Sequence, residues 1–132
     1  MRRLLRKAEA WGLWVEWAPL GDRRGFYEHD ARTITLNSRM SEPLLRSTLA
    51  HELGHAYHCH TAAPSSAVRE RQEREANRYA AVLLITDPAY AAAEAQHGPH
   101  VGALALELRV ATYIVETWQE MRRLDQMPRR HA

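Results

Sequence analysis

The stretch Ser47-Thr48-Leu49-Ala50-His51-Glu52-Leu53-Gly54-His55-Ala56-Tyr57-His58-Cys59-His60 decides how this chain is read. Ser41-Glu42-Pro43 precedes it, a serine suited to a helix N-cap and a proline tolerated in the first turn, so a helix is expected over about 42–59. Neighbouring residues on an α-helix are rotated by about 100°, which points His51 and His55 the same way, one turn apart. Two imidazoles so placed can grip one metal ion. Zinc accepts imidazole nitrogen at about 2.0–2.1 Å, and catalytic zinc sites take three protein ligands and leave a fourth position open. Glu52, next to that position, is cast as the general base that takes a proton from the attacking water and hands it to the departing amine. HExxH can also arise by chance on a helix, so the reading needs a third ligand.

A second helix, expected over about 68–85 after a linker from Thr61 to Ser66, supplies one. Glu73 shares a face with Ala76, Asn77, Ala80 and Leu84, and that face overlaps the apolar stripe continued by Leu83. A carboxylate aimed at a core bears a heavy desolvation cost that a metal ion cancels. Glu73 therefore ranks first, Glu70 at the helix start second, and Glu75, about 200° away and turned to solvent, third. The competing fate of Glu73 is an ion pair with Arg69 or Arg74. His58 lies seven residues from His51, about 10 Å along a straight helix, too far for one ion to touch both. It is read as a residue behind the ligands or on the surface, in company with His60. Cys59 is read as a buried thiol, and Gly54 as a point of close packing against a sheet.

Outward from these helices, residues 1–11 read as a short amphipathic helix with Leu4, Leu5 and Ala8 inward. Leu13, Val15 and Trp17 alternate with Trp14, Glu16 and Ala18 before Pro19, which predicts a strand. Gly25 to His29 and Arg32 to Leu36 predict a β-hairpin. Trp11, Trp14 and Trp17 are expected in the core, and the run Arg32 to Leu36 as an edge strand that adds substrate to the sheet. Downstream, helices are expected over about 88–96, 99–107 and 111–124. The fold class is thus α+β, a small three-stranded sheet on a helical core with additional C-terminal helices. With 132 residues the chain suits one domain, in which about 1–86 form the sheet and metal-site core and about 87–132 a helical cap.

Composition narrows the function. Eighteen basic and sixteen acidic residues are interspersed without a long single-sign block, which argues against a dedicated nucleic-acid surface. The single cysteine cannot form an internal disulfide. No transmembrane run is present, and Arg6, Lys7 and Glu9 interrupt the N-terminal apolar residues before signal-peptide length, so a cytoplasmic protein without a membrane partner is expected.

The combination HELGHAYH, then EREANRYAAVLLITDP, resembles the ImmA/IrrE metallopeptidases, whose pattern is HELGH followed by E-x-x-A-N/D-x-F-A-x-x-L-L-x-P. The resemblance spans roughly Gly25 to Trp118. It implies a zincin-like core with one zinc ion per chain held by His51, His55 and Glu73, and Glu52 as general base. It also matches Asn77 to a polar position that orients a ligand histidine. Tyr79 stands where phenylalanine is usual, and the Leu-Leu-Met-Pro ending is replaced by Leu83-Leu84-Ile85-Thr86-Asp87-Pro88. Members typically cut a transcriptional repressor, often one encoded beside them on a phage or mobile element, so the implied partner is a repressor-like protein substrate.

Stabilisation of the oxyanion falls to Tyr79, Tyr57, His97 or His100, among which the sequence does not choose. Two other classes compete with the peptidase. One is a non-catalytic zinc-binding interaction protein, disfavoured because ligand duty alone does not require Glu52. The other is a DNA-binding regulator built on residues 103–118, which have the spacing of a helix-turn-helix. Its second helix offers Thr112, Tyr113, Glu116, Thr117 and Gln119 without a basic cluster, and Arg122, Arg123, Arg129 and Arg130 come only later. A helical cap on the peptidase core is preferred.

Overall fold

In the computed structural model, which describes residues 1–128, the chain runs α1 (Arg2–Ala10), β1 (Trp14–Ala18), β2 (Gly25–Glu28), β3 (Thr33–Asn37), α2 (Glu42–Tyr57), α3 (Ser66–Leu84), α4 (Asp87–His97), α5 (Val101–Leu108) and α6 (Thr112–Asp125). This is an α+β fold with a three-stranded mixed sheet. Each expected element is present to within about two residues at its ends. Arg129 and Arg130 lie outside the described residues. Among the described residues, no helix is long and apolar enough to cross a membrane.

The sheet order is β1-β3-β2, with β1 parallel and β2 antiparallel to β3. The hairpin forms as expected, but Arg32 to Leu36 is not an edge: β3 is central, because β1 joins its other side. Both faces of β3 are covered, and Ile34, Thr35 and Leu36 are all buried. The edges of the sheet are β1 and β2. At Gly25 the two strands and α2 crowd together: a Cβ there would sit 2.7 Å from the Thr35 carbonyl oxygen and 3.1 Å from Thr48 Cγ2.

Two of the three tryptophans leave the core. Trp14 is 71% and Trp17 46% exposed, since β1 is an outer strand and it is Leu13 and Val15 that pack inward. Trp11 is half-buried and sits edge-on to Tyr79.

Helix α2 runs between two apolar clusters. On one side Leu49, Leu53 and Ala56 meet Ile34 and Leu36 of the sheet and Leu4, Ala8 and Leu13 of the N-terminal segment. On the other, Ala50 joins Ala80 and Ala81 of α3 and the C-terminal helices through Tyr90, Leu104, Ile114, Val115 and Trp118. A helix buried on both sides has no single apolar stripe, which leaves its short polar arc, the one carrying His51 and His55, as its functional face.

Small residues set the α2–α3 spacing. A Cβ on Gly54 would lie 2.9 Å from both the Cα and the carbonyl oxygen of Ala76, so Gly54 packs on α3 rather than on the sheet. The close approach at Gly54–Ala76 brings Glu73, one turn before Ala76, alongside the histidines.

Helix α6 is tied to α2 by Ser47. Its buried hydroxyl donates to the Pro43 carbonyl oxygen and accepts from the Ala111 N–H, each at 2.8 Å. That contact fixes where α6 begins and therefore where Tyr113, in its first turn, points.

Candidate metal centre

His51 and His55 project from the polar arc of α2, and Glu73 reaches them from α3. His51 Nε2 lies 2.9 Å from Glu73 Oε2, His55 Nε2 lies 3.2 Å from Glu73 Oε1, and the two Nε2 atoms are 3.1 Å apart. Ligands of a tetrahedral ion with bonds of 2.0–2.1 Å lie about 3.3 Å from one another, so the three groups have the spacing of one face of such a site. Both imidazoles are almost buried, with side chains 13% and 12% exposed, while the Glu73 carboxylate is half exposed. Two imidazoles and one carboxylate, open on one side, fit a divalent transition metal.

The competing ion pairs of Glu73 with Arg69 or Arg74 do not form; its partners are the histidines, whose hydrogen bonds hold its carboxyl well below the usual carboxylate range. Burial pulls the His51 pKa down, but the Glu73 hydrogen bond and the charges of Glu52 and Glu73 outweigh it and the net direction is upward. His51 Nδ1 is 2.7 Å from Asn77 Oδ1, one turn beyond Glu73 on the same face of α3.

Glu52 is 5% exposed and lies close enough to His51 and His55 to share an ion with them. Glu73 is nonetheless better placed as the third ligand, because its two oxygens meet both Nε2 atoms. Burial raises the Glu52 pKa against the opposing pull of His51 and His55, the direction a general base working near neutrality requires.

These residues line an open cleft of about 1270 Å³ whose opposite wall is β2 and the turn after it. In the antiparallel β2–β3 pair, the Asn37 N–H donates to the Arg24 carbonyl oxygen, so by alternation Gly25 and Tyr27 direct their main-chain N–H and C=O groups to the free side of β2.

The remaining site candidates disperse. Tyr79 stacks on Tyr57 with ring centroids 5.0 Å apart, on the α1 side of α3, and neither lines the cleft. His97 pairs with Glu107, and His100 caps α5 by accepting from the Ala103 N–H. His58 also lies outside the cleft, beside Glu75, which is half-buried rather than turned to solvent because two histidines face it.

That arrangement comes from the end of α2. The helix stops at Tyr57, Cys59 takes a left-handed φ of 54°, the Cys59 N–H bonds to the Ala56 carbonyl, and the His60 N–H bonds to that of His55. This is a Schellman closure with cysteine where glycine is usual. It turns the chain so that His60 Nδ1 lies 2.9 Å from His55 Nδ1, and it leaves Cys59 exposed rather than buried.

Two cleft residues, Thr112 and Tyr113, figure in the sequence reading only as part of a possible DNA-reading helix. Tyr113 in α6 meets the His51 ring edge-on, with centroids 6.4 Å apart, and Arg24 lies 5.4 Å from its ring. Burial raises its pKa against the opposing charge of Arg24, so at neutral pH the hydroxyl keeps its proton. Chain separation hid it: no local motif links position 113 to position 51. The same packing buries Ile114, Val115 and Trp118 of α6.

A peptidase family model, described as the IrrE N-terminal-like domain, matches residues 8–116, from the last turn of α1 into α6 and so further toward the N-terminus than the motif resemblance alone. No curated protein matches the chain.

Proposed function

The chain belongs to the IrrE N-terminal-like family of metallopeptidases, and from that premise we propose that it is a zinc-dependent endopeptidase acting on a specific regulatory protein. The observation that carries the reading is the convergence of His51, His55 and Glu73 from two helices, with Glu52 buried beside them. His51, His55 and Glu73 would hold the zinc, which when bound lowers the pKa of water and polarises a peptide carbonyl.

The chain's own residues account for the rest. Glu52, its proton affinity raised by burial, takes the proton of the attacking water and delivers it to the departing amine nitrogen. Asn77 accepts from His51 Nδ1–H, which leaves Nε2, the nitrogen on the Glu73 side, as the one that would hold the metal. Tyr113, a protonated phenol at the cleft wall, donates to the carbonyl oxygen as negative charge develops there. The free edge of β2, in place of the central β3, receives an extended substrate segment through main-chain hydrogen bonds.

The resemblance to ImmA/IrrE peptidases supports a repressor-like substrate, of phage or mobile-element origin, cut in the cytoplasm. A partner that must present an extended segment at β2 favours a flexible linker within an otherwise folded protein. The test is N-terminal labelling of proteins in cells producing the wild type or Glu52→Gln. One or a few new N-termini specific to the wild type are expected. The same new termini in both cells, or broad digestion of generic proteins such as casein, would overturn the reading.

A further inference from the structure

A second set of donors converges at the margin of the cleft, which His60 lines and His58 and Glu75 do not. His58 Nδ1 lies 3.4 Å from Glu75 Oε2 and His60 Nε2 lies 3.7 Å from Glu75 Oε1, and one ligand atom from each of the three residues lies within 4.8 Å of the others. The His58 and His60 rings lie nearly parallel, at 13° with centroids 5.2 Å apart, and each presents a ring nitrogen to a different oxygen of Glu75. We propose that His58, His60 and Glu75 form a second divalent transition-metal site, joined to the first through His55 and His60.

The donor set repeats that of the cleft, two imidazoles and one carboxylate. Imidazole nitrogen selects zinc, nickel, cobalt or copper over magnesium and calcium, which prefer oxygen. The separations are somewhat wider than in the first trio and leave room for an ion between them. With side chains 32%, 11% and 35% exposed, the remaining coordination positions open to water. Among the described residues the competing cation is Arg71, whose Nε is 3.7 Å from Glu75 Oε1; its side chain is 65% exposed and can turn away into solvent.

The link between the sites has a sign. A neutral imidazole that ligates through one nitrogen carries its proton on the other. With an ion on His55 Nε2 alone, the His55 Nδ1–H donates to His60 Nδ1 across 2.9 Å, and the His60 Nε2–H is directed at Glu75. With a second ion on His60 Nε2, both Nδ1 atoms carry protons and two donors face each other. The hydrogen bond that supports the first ion is therefore lost when the second binds, and by linkage each ion weakens the other by the same factor, about tenfold for one such bond. The second site stands on its own geometry; the coupling rests on His55 being a ligand in the cleft.

Titration with zinc chloride by calorimetry, with ion number checked by equilibrium dialysis, separates these claims. The wild type is expected to bind two ions, and His58→Ala and Glu75→Gln one each. An equal number in all three proteins would overturn the second site. In Glu73→Ala, the surviving site should bind zinc about tenfold more tightly than the weaker step of the wild type; equal affinity would remove the coupling. A wild type with one ion and a His58→Ala protein with none would uphold the second site and sink the cleft reading instead.

Discussion

His51 Nδ1 is held 2.7 Å from Asn77 Oδ1 while its Nε2 lies 2.9 Å from Glu73 Oε2, so one helix, α3, holds both nitrogens of a ring carried by another. Replacing Asn77 frees the ring to rotate and leaves Nδ1–H without its acceptor. Asn77→Ala is expected to weaken zinc binding by about 10–100-fold with the fold intact, measured by competition against a chromophoric chelator. Unchanged affinity would show that ring orientation is set elsewhere.

Tyr113 enters the cleft from α6, far along the chain from the histidines it faces. Tyr113→Phe keeps the ring and removes the donor. On the cognate substrate, kcat should fall by about 10²-fold with KM little altered, because the bond forms to charge that develops only in the transition state. A change confined to KM would assign Tyr113 to substrate binding.

Substrate pairing at β2 makes a contrast between two replacements at one position. Tyr27→Pro removes a main-chain N–H that faces the free side of the strand, whereas Tyr27→Ala keeps it. The proline variant should raise KM well beyond the alanine variant, at matching thermal stability. Equal KM values would clear this edge of a role in recognition.

The α2–α3 approach predicts a stability cost away from the chemistry. A Cβ at Gly54 meets backbone atoms of Ala76 at 2.9 Å, and backbone yields less readily than a side chain. Gly54→Ala should destabilise the protein by about 1–3 kcal/mol, despite alanine's higher helix propensity, as read by urea denaturation of the metal-free protein. A stabilising change would mean that the two helices separate at little cost.

Local periodicity carried most of the fold in advance. His51 and His55 one turn apart and Glu73 on the inward face of α3 could be read because helix geometry alone places them, and the structure brings the three together. What escaped was set by tertiary packing. The place of β3 at the centre of the sheet depends on β1 pairing across an intervening strand, and the exposure of Trp14 and Trp17 follows from β1 lying outermost. Gly54 does mark close packing, but nothing local says that its neighbour is α3. The early end of α2 was missed because cysteine, not glycine, takes the left-handed position; that single turn moves His60 to His55 and gives Glu75 its partners. Tyr113 was out of reach for the same reason, since its place depends on how α6 is anchored at Ser47.

The most direct test of the central claim is the zinc content of purified His58→Ala protein, in which the cleft is the remaining site, with and without the additional change Glu73→Ala. About one tightly held zinc per chain is expected in the first protein and none in the second. Absence of zinc from the first, or its undiminished retention in the second, would contradict the assignment of His51, His55 and Glu73 as the centre of a metallopeptidase.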